Sequence, residues 1–99
     1  MIMHAVTFTF RPDTTPEQVR ALAKELGTLP SLIPALRSYH FGADLRLRDG
    51  NADFAVVAVL ADEEGVRAYL DHPEHVRVVE TRVKPIVATR SAVQMAIAD

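Results

Sequence analysis

Eight consecutive apolar residues, Phe54 to Ala61, restrict the possible folds of this chain more than any other feature of its sequence. An antiparallel sheet with helices on one face and water on the other alternates apolar and polar side chains. This run does not alternate, and between Ala92 and Ile97 apolar residues also occupy both odd and even positions, which point to opposite faces of a strand. We therefore expect both sheet faces to be covered. A second copy of the chain is the simplest cover, because two-fold dimers are the commonest oligomers; the alternative is that small Ala and Val side chains are tolerated on an exposed face.

The first quarter of the chain predicts one strand followed by one helix. Ile2 to Phe10 alternate, which places His4, Val6, Phe8 and Phe10 on one face of a strand. Thr15 and Gln18 form a Thr-x-x-Gln capping box, and Pro16 suits the first helical position. The helix is expected from Pro16 to Leu26, with Gly27 as its stop and an apolar face made of Val19, Leu22, Ala23 and Leu26.

The remaining elements follow from turn and capping signals. The predicted elements are a packed turn at Leu29–Pro34, a strand around Tyr39–Phe41 with a bulge or bend at Gly42, a strand at Phe54–Ala61, a helix at Glu63–Leu70 capped by Asp62, a second helix opened by Pro73 with Val76, Val79 and Val83 on one side, and a strand at Val87–Ile97. The order β-α-β-β-α-β predicts one ferredoxin-like α+β domain over residues 1–99.

Composition excludes several classes of function. The 99 residues contain no cysteine, so disulfide frameworks, thiolate zinc sites and cysteine nucleophiles are excluded. The net charge is −2 with both signs mixed, so neither nucleic acid nor a membrane is an expected partner. No signal peptide or membrane span is recognisable, and we expect a soluble cytoplasmic protein. The four glycines are scattered, so no phosphate-binding loop is expected.

Histidines are the main candidates for chemistry. His72 and His75 are three residues apart, a spacing that can put both on one side of a helix. Two imidazoles do not make a zinc site, which needs a third protein ligand, and we predict neither a metal nor a cofactor. His4 shares a strand face with apolar residues, where it either lines a pocket or is a hydrogen-bonded core histidine.

Several segments together resemble the stress-responsive A/B barrel (Dabb) family. They are Met1–Phe10, Thr15–Gln18, Leu32–Pro34, Tyr69–Val76 with its His-Pro-Glu-His sequence, and Lys84–Ile86. The similarity extends over nearly the whole chain. The resemblance implies a homodimeric α/β barrel of ferredoxin-like protomers. The family includes a plant group that acts as cofactor-independent polyketide cyclases.

The resemblance also implies roles for individual residues. In the cyclase-like members the positions of His75 and Tyr69 serve as general base and as a group that orients the substrate, and a histidine at the position of His4 lines the pocket. The alternative is that His72 and His75 only stabilise the helical break at Pro73. The chain departs from the plant cyclases at Phe54, where those enzymes carry a histidine, and along helix 1, where they are more aromatic. Both departures argue against an identical substrate.

Three functions follow as hypotheses, of which one, a cofactor-free oxygenase, rests on analogy of fold alone and is not supported by a chain without tryptophan. The other two depend on a pocket. The first of these is a homodimer that binds a small apolar or aromatic molecule between sheet and helices without turnover. The second is a polyketide cyclase-like enzyme that uses His75 and Tyr69. The predicted lining of the pocket, besides those two residues, is His4, Val6, Phe8, Leu22, Leu26, Phe54, Val56, His72 and Val79.

Overall fold

The computed structural model describes all of residues 1–99 and contains four strands that form one antiparallel sheet. The strands are β1 (Ile2–Phe10), β2 (Ser38–Ala43), β3 (Phe54–Leu60) and β4 (Val87–Ala96), and their order across the sheet is β2-β3-β1-β4. The helices are α1 (Pro16–Leu26), the single turn α2 (Leu29–Leu32), α3 (Glu63–Leu70) and α4 (Pro73–Val78), which continues into a π-helical turn at Val79–Val83. This is the predicted ferredoxin-like α+β fold.

The helix caps form as the sequence predicts. The Thr15 hydroxyl accepts a hydrogen bond from the backbone N–H of Gln18 at 3.2 Å, and the Gln18 side chain accepts one from the N–H of Thr15 at 2.9 Å. The Asp62 carboxylate accepts a bond from the N–H of Gly65 at 2.8 Å at the start of α3. Caps of this kind each contribute about 0.5–2 kcal/mol to the free energy of unfolding.

The register of the sheet fixes which residues share a face. On β1, His4, Val6 and Phe8 point towards the helices together with Ala58, Val56 and Phe54, their partners on β3. The same register places Gln94, Ala92 and Arg90 of β4 on this inner face. The core of buried apolar residues lies between this face and the helices, and its largest fully buried members are Tyr69, Leu22, Leu29, Ile33, Leu60 and Val78.

The outer face of the sheet has no cover within the chain. Its residues on the two central strands and on β4 are Met3, Ala5, Thr7, Ala55, Val57, Val59, Ser91, Val93 and Met95. Val93 and Met95 are 54% and 49% exposed. Along β3 the inward residues are buried and the outward residues are half-buried.

Two predictions about local structure are wrong. Gly42 does not form a bulge, because it pairs in register with Ala55 and the ladder continues to Ala43. Val76 is not on the inner side of its helix but 43% exposed, whereas Val78 and Val83 are buried. The cause is the π-helical turn, in which the Lys84 N–H donates to the Val79 carbonyl at 2.9 Å and residues five apart share a face.

None of the helices has the length and apolar character that crossing a bilayer requires.

Candidate functional site

A cavity of about 330 Å³ lies between the inner face of the sheet and the helices. Ligand sites in proteins range from about 300 to 1,000 Å³, so this one suits a small molecule. Its wall is mainly apolar and contains no carboxylate; the polar groups are His4, Tyr39, Tyr69, His75, Lys84 and Arg90. The cavity lies where the sequence analysis places the pocket, between α1, the Tyr69–Val79 segment and the strand that bears His4.

The helical break at Pro73 positions His75. Pro73 ends α3 at Leu70 and opens α4, and the N–H of Glu74 donates to Nδ1 of His72 at 3.1 Å instead of to the Leu70 carbonyl four residues before it. That carbonyl instead pairs with Nδ1 of His75 at 3.0 Å. Since a carbonyl only accepts, Nδ1 of His75 carries the proton and Nε2 holds the free lone pair.

The second nitrogen of His75 is free and accessible. Nε2 makes no hydrogen bond, and no polar side-chain atom in the chain is both buried and without a partner. Nε2 is therefore accessible, and His75 lines the cavity. Burial lowers the pKa of His75 below its ordinary value, and the charge of Arg90 lowers it further, although the bond to Leu70 acts in the opposite direction. The ring is thus neutral and able to accept a proton near pH 7.

His4 has the complementary polarity. Its partner across the β1–β4 ladder is Gln94, whose amide nitrogen lies 2.7 Å from Nδ1 of His4. An amide N–H₂ donates, so Nδ1 of His4 accepts and Nε2 carries the ring proton. Burial lowers the pKa of His4, and the charge of Arg90 lowers it further. The cavity therefore holds one imidazole with a free acceptor and another with a free donor.

Tyr69 lies between the other aromatic groups of the site. Its hydroxyl is 2.9 Å from that of Tyr39, and its ring centroid is 4.4 Å from His75 and 6.0 Å from His4. Ala58, on β3 between Tyr39 and His4, has a side chain small enough to leave room for the Tyr69 ring above it. Burial raises the pKa of both phenols, so both are protonated. Their mutual bond uses one of the two hydroxyl protons and leaves the other available.

The structure brings most of the predicted site residues together, with three corrections. His4, Val6, Phe8, Leu26, Val56, Tyr69, His75 and Val79 line the cavity, and Leu22, Phe54 and His72 do not. Leu22 is fully buried in the core, and the Phe54 ring packs on Phe10 at 6.0 Å. His72 is drawn away from the cavity because its ring caps α4.

The cavity wall also contains seven residues that were not predicted to line it: Tyr39, Leu70, Val78, Val83, Lys84, Val87 and Arg90. The pairing of the strands brings Tyr39 and Arg90 to the inner face, and the only signal for Tyr39 is its place on a predicted strand. No group of three or more His, Cys, Asp or Glu side chains that could hold a metal ion is present.

Comparisons with known proteins agree with the fold and the sequence motifs. The family model of the stress responsive A/B barrel domain matches residues 2–97. A dimeric ferredoxin-like protein from Thermobifida fusca is 47% identical, with a TM-score of 0.91 over 97% of this chain and 90% of the other. The stress-response A/B barrel domain-containing protein HS1 of Arabidopsis thaliana is 25% identical over 77 residues, 76% of this chain and 71% of that protein. A hydroxynitrile lyase from Passiflora edulis shares the fold at 14% identity, with a TM-score of 0.85 over 99% of this chain and 94% of the other.

Proposed function

Because the chain belongs to the stress-responsive A/B barrel domain family, we propose that it acts as a homodimer that binds a small apolar or aromatic molecule in the cavity between sheet and helices. The observation that carries this proposal is the cavity itself. A core packed at ordinary density leaves few voids larger than a water molecule. A space of about 330 Å³ equals the share of about eleven water molecules in the liquid, enough for a ligand of roughly a dozen non-hydrogen atoms.

The uncovered sheet face supports the dimer. Val57, Val59, Val93 and Met95 form an apolar surface that no part of the chain covers. The relative from Thermobifida fusca, at 47% identity, is described as dimeric. A sheet-to-sheet dimer buries this surface and leaves the cavity, on the opposite face of the sheet, free for a ligand.

Filling the cavity tests the binding function. Val79 is half-buried on the cavity wall, so Val79→Phe should occupy the ligand space and abolish binding of neutral aromatic probes such as 2-naphthol. Ligand-detected NMR and thermal shift measure this directly. Val76→Phe is the matched control, because Val76 lies exposed three residues earlier, on α4. Wild-type protein that binds none of a panel of such probes, or Val79→Phe that binds them as well as wild type, would contradict the proposal.

The second candidate function is a polyketide cyclase-like enzyme, and the free Nε2 of His75 is the observation that favours it. In such a reaction Nε2 takes a proton from a carbon between two carbonyl groups, and the electron pair left on that carbon moves onto oxygen as an enolate. The spare hydroxyl proton of the Tyr39–Tyr69 pair, or Nε2–H of His4, can donate a hydrogen bond to this oxygen. No metal or other cofactor takes part in these steps.

Exchange of carbon-bound hydrogen tests the enzyme. Wild-type protein should accelerate exchange of the α-protons of ethyl acetoacetate with deuterated water, followed by NMR. His75→Gln should lower the protein-dependent rate by about 10²–10⁴-fold. His72→Gln is the matched control, because the His72 ring lies outside the cavity. A fall in rate that comes only from removing a histidine near the helical break would appear in both variants. Equal rates in the His75→Gln and His72→Gln variants would remove the catalytic role of His75.

A further inference from the structure

Arg90 is a cation on the cavity wall without a partner in the chain. It lies on β4, opposite Phe8 on the inner face of the sheet. The salt bridges of the chain engage Arg20, Arg46, Arg67, Arg77, Arg82 and Lys84, and Arg90 makes neither a salt bridge nor a side-chain hydrogen bond. Arg90, His4 and His75 all line the cavity.

The other cation of the wall is already neutralised. Lys84 Nζ lies 2.6 Å from a carboxylate oxygen of Glu80, one turn earlier. His4 and His75 are neutral near pH 7, and no Asp or Glu lines the cavity. The wall therefore carries one unbalanced positive charge, that of Arg90, beside an otherwise apolar space.

We propose that the ligand of this cavity is an organic monoanion, a small carboxylic acid whose carboxylate pairs with the Arg90 guanidinium while its aryl or alkyl body fills the apolar part. This inference rests on the proposed binding function and names its ligand class. Arg90 is exposed, and its planar guanidinium presents paired N–H donors that match the two oxygens of a carboxylate.

A matched acid and amide separate charge recognition from cavity filling. 4-Ethylbenzoate and 4-ethylbenzamide have the same shape and about the size the cavity admits, and isothermal titration or NMR gives the Kd of each. Wild-type protein should prefer the acid. Arg90→Gln should weaken acid binding about ten- to a hundredfold, the range expected for a charged hydrogen-bonded contact, and weaken amide binding much less. Arg90→Lys keeps the charge but loses the paired N–H donors, so its affinity for the acid should lie between those of the wild type and Arg90→Gln.

Arg67→Gln serves as the control for loss of one positive charge, because Arg67 is exposed on α3 and does not line the cavity. If the wild type binds both probes equally, or if Arg90→Gln and Arg67→Gln weaken acid binding to the same extent, the anion inference is overturned and the binding function stands. If the amide binds and the acid does not, the outcome is the same. If neither probe binds, with 2-naphthol also failing, the binding function itself falls and the inference falls with it.

Discussion

His72 and His75 lie on either side of the same helical break, yet the break gives their rings different surroundings. Pro73 frees the Leu70 carbonyl and leaves the first turn of α4 in need of a cap. Nδ1 of His72 caps α4 by accepting a hydrogen bond from the N–H of Glu74, and Nδ1 of His75 donates one to the Leu70 carbonyl. A structural and a functional role are thus compatible in His75, because the bond that stabilises the break also fixes the tautomer in which Nε2 keeps a free lone pair.

The neutral state of His4 and His75 predicts how stability depends on pH. Burial is the largest cause that lowers both pKa values in the folded protein, while histidine in an unfolded chain titrates near about 6.5. Between the lowered folded pKa and that value, the unfolded chain binds more protons, so the free energy of unfolding rises with pH. This contribution is fully present above the unfolded pKa, and it decreases as pH falls from there towards the folded pKa.

Thermal unfolding followed from about pH 7.5 to about pH 5 measures this effect. The double variant His4→Gln/His75→Gln cannot titrate at these positions, so its Tm should fall less steeply than that of the wild type over the acidic part of the range. Carboxylates such as Asp53, whose pKa is lowered by Arg46, contribute equally to both proteins and cancel in the comparison. Equal slopes for the two proteins would show that neither imidazole is held neutral by the fold.

Individual site residues differed in how far the sequence could predict them. Alternation along β1 predicted the inward placement of His4, Val6 and Phe8, because strand faces follow from a period of two. It could not predict Arg90, since β4 is apolar at both parities and only its pairing with β1 decides which residues face inward. Local pattern also shows that Leu22 points inward, but whether it borders a void depends on how the surrounding elements pack.

At the scale of elements, the parts with strong local signals were predicted almost completely. The capping box at Thr15, the cap at Asp62 and the break at Pro73 act over three or four residues, so the sequence alone predicts where α1, α3 and α4 begin. The π-helical turn at Val79–Val83 has no such signal. A regular helical period places Val76 on the same inner side as Val79 and Val83. The extra residue of the π-helical turn changes this, so that Val78 lies inward and Val76 outward.

At the scale of the whole molecule, the two faces of the sheet have different roles. The inner face carries the core and the cavity, and the outer face carries an apolar surface where Ala5 pairs with Val57 and Val93, with His40 of β2 beside Val57. Strand β3 contributes to both through alternate residues, which is why its sequence is apolar throughout. A substitution at an outward position of β3 should therefore change assembly without a direct effect on the cavity wall.

Val57→Asp tests this division. The wild-type protein should be a dimer by light scattering at micromolar concentration, with an interface that buries on the order of 1,500 Å² or more in total. Asp at position 57 would bury a charge in the apolar part of that interface, a cost large enough to shift the protein to monomers even with His40 as its neighbour on β2. Ala68→Asp, which adds the same charge to an exposed position of α3, should leave the dimer intact. A wild-type monomer would refute the sheet-to-sheet dimer, and so would a Val57→Asp variant that remains dimeric, since the association would then use the helices instead.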